Sequence, residues 1–171
     1  GYAAFSAREV AKRIGYSIGT ITNVFGSHDG LMLALNGHTL DLWRAALAAS
    51  LEQSPDNRLH AAIRAYFEFA TQNRNVWTAL YDFRLPEGTP WPDTYAAKVA
   101  AITRVVIDEV AAALPGHVRA EAPALARSLL ASVHGHCFFT LNGTFRLLGE
   151  ADPLGAAMAR VEDAIAAARR R

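Results

Sequence analysis

His134, Gly135, His136 and Cys137 put two imidazoles and the only thiol of the chain within four positions. Imidazole and thiolate are common ligands of transition metals and common members of nucleophilic dyads. On a helix, residues two apart point about 200° away from each other, so His134 and His136 cannot share an ion. His134 does share a face with Cys137 and with Phe138, but a metal there would need further ligands from distant positions such as His38 or His60. Cys137 as a nucleophile has no evident oxyanion-binding element beside it. The reading is therefore no catalytic residue, no metal and no cofactor, with His134 as a hydrogen-bonding group toward a ligand or a neighbouring helix.

A second group carries a different chemistry. Ile18, Ile21 and Phe25 lie three and four apart and predict an inward face for a short helix over about Ile18 to Val24. Gly19, Thr20, Thr22 and Asn23 are then left together on the outside. That face is small, polar and uncharged. Such a surface suits a major groove, where Asn pairs two-fold with adenine and Thr meets a thymine methyl or a phosphate. An ordinary solvated helix face is the competing reading.

The elements that would hold this face can be read on either side of it. Ser6 is placed to cap a first helix whose Val10 and Ile14 fall on one apolar face, with Arg8, Glu9, Lys12 and Arg13 turned to water. Gly15 stands where a left-handed C-terminal residue belongs, and Ser17 can cap the next helix. Two helices this close must cross, which makes a helix-turn-helix. Ser27 then caps a long helix with an apolar stripe of Leu31, Leu35, His38, Leu42, Trp43, Leu47 and Leu51, broken weakly by Gly30 and Gly37.

Helical signals continue to the end of the chain. Ser54-Pro55 reads as a cap and first-turn proline before Leu59, Ile63, Tyr66, Phe67 and Ala70, with a break at 73–75. Val76 to Phe83 make a short aromatic helix, followed by the proline-rich loop 85–92. A further helix runs from Asp93 or Thr94 to the Leu114-Pro115-Gly116 stop. Another carries Leu125, Leu129, Leu130, Val133, Cys137, Phe138 and Leu141 and ends at Asn142-Gly143. The last opens at Asp152-Pro153, and its Leu154, Met158, Val161, Ile165 and Ala168 form a seam for another helix. Arg169 to Arg171 are placed to complement its macrodipole.

The middle helices gather Tyr66, Phe67, Phe69, Trp77, Tyr81, Phe83, Trp91, His134 and Phe138 beside the irregular loop, where an apolar cavity with a few polar anchors can form. From this group Tyr66, Phe67, Trp77, Tyr81, Trp91, His134 and Phe138 are the expected ligand-binding residues. Aromatic stripes at helical spacing also serve as plain core.

The run Phe5-Ser6, Arg8-Glu9-Val10-Ala11, Gly15-Tyr16-Ser17, Gly19-Thr20-Ile21, Phe25, Ser27 and Leu31 resembles the DNA-binding domain of the TetR family of transcriptional regulators. The resemblance implies that the helix after Ser17 enters the major groove and that the helix after Ser27 places its N-terminus on a phosphate. It makes Ser17, Gly19, Thr20, Thr22, Asn23 and His28 the expected DNA contacts. The family usually has Tyr where Thr22 stands, an aromatic residue or His where Val24 stands, and commonly Lys where His28 stands. Its domain also has a helix before the point at which this chain begins, and we expect this sequence to lack that helix. The segment Val133-His134-Gly135 is similar to a C-terminal domain class marked by Trp-His-Gly, with Val133 in place of Trp. In the family this region binds the effector and the last two helices form the dimer.

Composition bounds these readings. A chain of 171 residues, 51% of them hydrophobic, can bury a sizeable core. Its 17 basic and 16 acidic side chains leave a net charge of +1, so charge alone does not announce a nucleic-acid binder. Phosphate contacts from backbone N–H groups and helix N-termini need no large charge excess. A single cysteine excludes an intramolecular disulfide and fits a reducing compartment. The expectation is an all-α protein, with a helix-turn-helix DNA-binding domain over 1–45 and a helical effector-binding and dimerisation domain over 46–171. It would act as a cytoplasmic homodimeric repressor on a palindromic double-stranded DNA operator, released by a small, largely apolar or aromatic effector, with no membrane partner. The alternative is a helical ligand-binding or scaffold protein without DNA-binding activity.

Overall fold

Ser6, Ser17 and Ser27 each open a helix by the same means, a hydroxyl that accepts a backbone N–H three residues on. Their Oγ atoms receive the N–H of Glu9 at 3.3 Å, Thr20 at 3.1 Å and Gly30 at 3.0 Å. In the computed structural model, which describes residues 5–171, these caps start α1 (Ala7–Arg13), α2 (Ile18–Phe25) and α3 (His28–Gln53). Six helices follow: α4 (Arg58–Gln72), α5 (Arg74–Asp82), α6 (Asp93–Ala113), α7 (Ala122–Leu141), α8 (Thr144–Leu148) and α9 (Pro153–Arg169). Among the described residues there is no strand, so the fold is all-α.

Gly15, at φ +77°, turns the chain from α1 to α2. A small cluster of Ala11, Ile21 and Leu31, flanked by Phe5, Ala7 and Phe25, holds the first three helices together. Ile14 and Ile18, expected inside, are 55% and 42% exposed. Both stand at helix ends, Ile14 just past the last residue of α1 and Ile18 first in α2, where the 3.6-residue period no longer sets direction.

α3 runs from this cluster into the main body. Its buried face is Met32, Asn36, Leu40, Trp43, Leu47 and Leu51, joined by Leu31, Gly37 and Thr39. The stripe expected through Leu35, His38 and Leu42 is instead exposed. Counting apolar letters passed over Asn36 and Thr39, which are buried because each has a carbonyl partner: Asn36 Nδ2 donates to Ala79 at 3.3 Å and Thr39 Oγ1 to Leu35 at 3.0 Å.

The main core lies where α4, α6, α7 and α9 close around the second half of α3, with Trp43, Leu47, Ile63, Tyr66, Trp77, Val110, Leu129, Val133, Val161 and Ile165 inside. Ser54-Pro55 opens a short 3-10 turn, Pro55–Asn57, and Ser54 gives no side-chain cap, so α4 begins later than expected. The break expected over 73–75 shrinks to Asn73, which links α4 directly to α5. Asp152 Oδ1 accepts the N–H of Gly155 at 2.9 Å and starts α9 as expected. The arginines after it also find specific partners, Arg169 on the carbonyl of Ala113 and Arg171 on Glu121.

Candidate functional site

α2 presents two faces. Ile21 is buried beneath it, while Gly19, Thr22 and Asn23 are exposed and Thr20 is half-buried. The exposed hydroxyls are partly committed. Ser17 Oγ and Thr20 Oγ1 lie 3.0 Å apart, and Thr22 Oγ1 donates to the carbonyl of Ile18 at 3.1 Å. Each keeps acceptor capacity outward. Arg8, Lys12 and Arg13 of α1 are exposed as well. His28 opens α3 with its ring 5.8 Å from that of Phe5 and its Nδ1 3.6 Å from Asp29 Oδ1.

The aromatic residues of the middle helices divide among separate places. Tyr66 lines an apolar cavity of about 60 Å³ among α3, α4, α6, α7 and α9, with Trp43, Leu47, Ile102, Val106 and Val133 in its wall. Trp77, Tyr81, His134 and Phe138 line a second cavity of about 110 Å³ between α5 and α7. Phe67 is core and borders neither. Trp91 is 44% exposed and stacks on Tyr95 at 5.0 Å, in an open groove along the outside of α6.

Tyr66 joins the two cavities chemically. Its ring faces the first, and its hydroxyl lies 3.0 Å from that of Tyr81 and 2.9 Å from His134 Nδ1. One phenolic proton cannot serve both neighbours, so the chain runs one of two ways. Tyr81 donates to Tyr66 and Tyr66 to Nδ1, which puts the imidazole proton on Nε2, or the order reverses and Nε2 becomes an acceptor. Burial raises the Tyr66 phenol far above its usual range, raises Tyr81 to about 12 and lowers His134 below 6.5. All three groups are thus neutral at pH 7.

His134 and His136 do turn to different neighbours: His136 Nδ1 is 2.8 Å from the carbonyl of Ser132, and its ring lies 5.6 Å from that of Phe145. Cys137 is buried, and desolvation pushes its thiol up to about 12. No group of three or more His, Cys, Asp or Glu side chains gathers among the described residues. None of their helices is long and apolar enough to cross a membrane.

Sequence reasoning passed over Arg74, Thr78, Asp82 and Asn142, which complete the second cavity. The signal was available in α5, where Arg74, Trp77, Thr78, Tyr81 and Asp82 follow the spacing of one helix face. It also passed over Ile102 and Val106 in the wall of the first.

A capped helix-turn-helix that leads through one long helix into a cavity-bearing helical body defines a class of regulatory proteins. Residues 1–35 match the family model described as bacterial regulatory proteins, tetR family, and residues 59–164 match the tetracyclin repressor-like C-terminal domain. The chain belongs to the TetR family. Over 95 residues it is 30% identical to the HTH-type transcriptional regulator BetI of Burkholderia thailandensis, covering 52% of this chain and 49% of that one. It therefore spans about half the length of that curated relative. A crystal structure described as a regulatory protein, SCO4313, shares the fold at TM-score 0.74 with 22% identity, over 93% of this chain and 84% of the other. A protein of unknown function from Rhodococcus sp. RHA1 does so at 0.74 and 21%, over 95% and 84%.

Proposed function

We propose that the protein is a ligand-responsive transcriptional repressor that binds a palindromic double-stranded DNA operator as a homodimer in the cytoplasm. The observation that carries this is α2, whose Gly19, Thr22 and Asn23 stay bare while Ile21 anchors the opposite side. Ser17, Gly19, Thr20, Thr22 and Asn23 read or flank the groove, and His28 sits over a phosphate at the start of α3. Dimerisation uses the outward faces of α7 and α9, whose inward faces pack on each other. A two-fold pair sets two reading helices about 34 Å apart, one turn of B-DNA, which one copy cannot do. The division into a reading domain and an effector domain falls near residue 45, within α3.

The effector acts through α3. Leu31 of this helix belongs to the cluster under α2, and Trp43 and Leu47 wall the first cavity about 18 Å and 24 Å further along the same rod. A ligand that binds one setting of α3 more tightly than the other shifts the separation of the two heads. Tyr66, Trp77, Tyr81, His134 and Phe138 are its contacts, while Phe67 and Trp91 act from behind and from the outer groove.

The test is a gel shift with Thr20→Ala/Asn23→Ala. Loss of a two-fold Asn pair is worth about 1–3 kcal/mol, so operator affinity should fall tenfold or more with the helical circular dichroism unchanged. Unchanged affinity removes the reading face from this protein. No specific DNA retention by the unaltered chain favours the helical ligand-binding or scaffold reading.

A further inference from the structure

The cavity between α5 and α7 has unused polar groups at both ends. Tyr81 and His134 stand at one end, their ring centroids 4.1 Å apart. From there α5 runs back to Arg74 and α7 runs on to Asn142, about 10 Å and 12 Å of helix, and both residues border the same 110 Å³ space. Only an antiparallel arrangement permits that, so Arg74 and Asn142 mark the other end. Trp77 and Phe138 lie between.

Among the described residues, the Arg74 side chain has no ion pair and no hydrogen bond, and Nε2 of His134 has no partner. Asn142 spends its Oδ1 on Thr144, at 3.0 Å and 2.6 Å, which leaves its N–H₂ free to donate. The Asp82 carboxylate, next to Tyr81, borders that end and disfavours an anion there.

We propose that this cavity takes a small aromatic acid with a hydroxyl at the far end of its ring. The carboxylate pairs with Arg74 and the Asn142 amide, as a planar guanidinium favours. The ring lies between Trp77 and Phe138. The hydroxyl meets Nε2 of His134, and the reversible Tyr81–Tyr66–His134 chain lets that nitrogen donate or accept. The proposal deepens the ligand-responsive reading and rests on it for its consequence at the DNA.

Calorimetric titration of the full chain tests it with 3-(4-hydroxyphenyl)propanoate against 4-ethylphenol, which lacks the carboxylate, and 3-phenylpropanoate, which lacks the hydroxyl. The hydroxy acid should bind at least tenfold tighter than either. Arg74→Ala, a change at an exposed position, should weaken the acid about tenfold and leave 4-ethylphenol within twofold. His134→Leu should erase the preference for the hydroxyl, since it leaves no donor or acceptor there, and the comparison of ligands on the unaltered chain reads the same contact without a variant. Equal binding of acid and 4-ethylphenol, or an acid affinity indifferent to Arg74→Ala, overturns the assignment. An operator complex released by other apolar compounds while the hydroxy acid does not bind sinks this site and spares the repressor reading. Arg74-dependent binding in a chain that retains no operator supports the site and sinks the repressor.

Discussion

Gly30 looks from its letter like a flaw in α3, since glycine weakens a helix by about 1 kcal/mol against alanine. In the fold it sits where the first turn of α3 crosses the end of α2, and a Cβ there would strike the carbonyl oxygen of Phe25. Gly30→Ala should therefore cost about 1–3 kcal/mol in urea unfolding, by forced overpacking against backbone. Gly37→Ala should be neutral or stabilising by up to about 1 kcal/mol, because its Cβ would meet only Lys98 carbons at 3.6 Å. His134 makes a pH prediction of the same local kind. Its pKa is lowered from 6.5 by burial, so the unfolded chain binds the extra proton first. Its contribution is complete above pH 6.5 and is lost as pH falls through the lower folded value. The denaturation midpoint should drop as pH falls below about 6.5, and His134→Gln should flatten that drop. Asp41, held below its ordinary range chiefly by its hydrogen bond from Lys98, adds a loss only in stronger acid.

Four helices here, α1, α2, α3 and α9, are each started by a single capping side chain. Asp152→Ala should lower the stability of α9 by about 1 kcal/mol in thermal unfolding, while Asp152→Asn should be close to neutral, since an amide oxygen also accepts from Gly155. The caps at Ser6, Ser17, Ser27 and Asp152 were legible because the chemistry is local. The start of α4 was not: Pro55 suits a 3-10 turn as well as a first α-turn, and only packing of the following residues separates them. α8 went unseen for a related reason. It has five residues between left-handed glycines 143 and 149, too short for a periodic signal, and leaves Leu147 87% exposed.

The whole molecule is built from cores of unequal size strung on one helix. Among the described residues, the buried part of the cluster under α2 is Ala11, Ile21 and Leu31, whereas the core from Trp43 onward draws on α3, α4, α6, α7 and α9. Met32, Ala79 and Phe83 bridge the two regions. Local stability follows buried contact, so amide exchange should be faster across α2 than across 61–70 of α4, which is largely buried. Equal protection of both would mean that the reading head and the body open as one unit, and the α3 lever would then have no separate head to move.

Local chemistry written into the letters determined the all-α class, the capped helix-turn-helix and the polar set Gly19, Thr22 and Asn23 above Ile21. Capping, glycine turns and the 3.6-residue period each act over a few residues, and a chain read in order displays them. What tertiary structure alone decided is which aromatics share a space. Trp77, Tyr81, His134 and Phe138 come together around one cavity, Tyr66 lines another and reaches Tyr81 and His134 through its hydroxyl, Phe67 and Trp91 part from them, and Arg74 and Asn142 join from 68 positions apart. Helical spacing sets which residues share a face of one helix; only the packing of whole helices sets which faces meet.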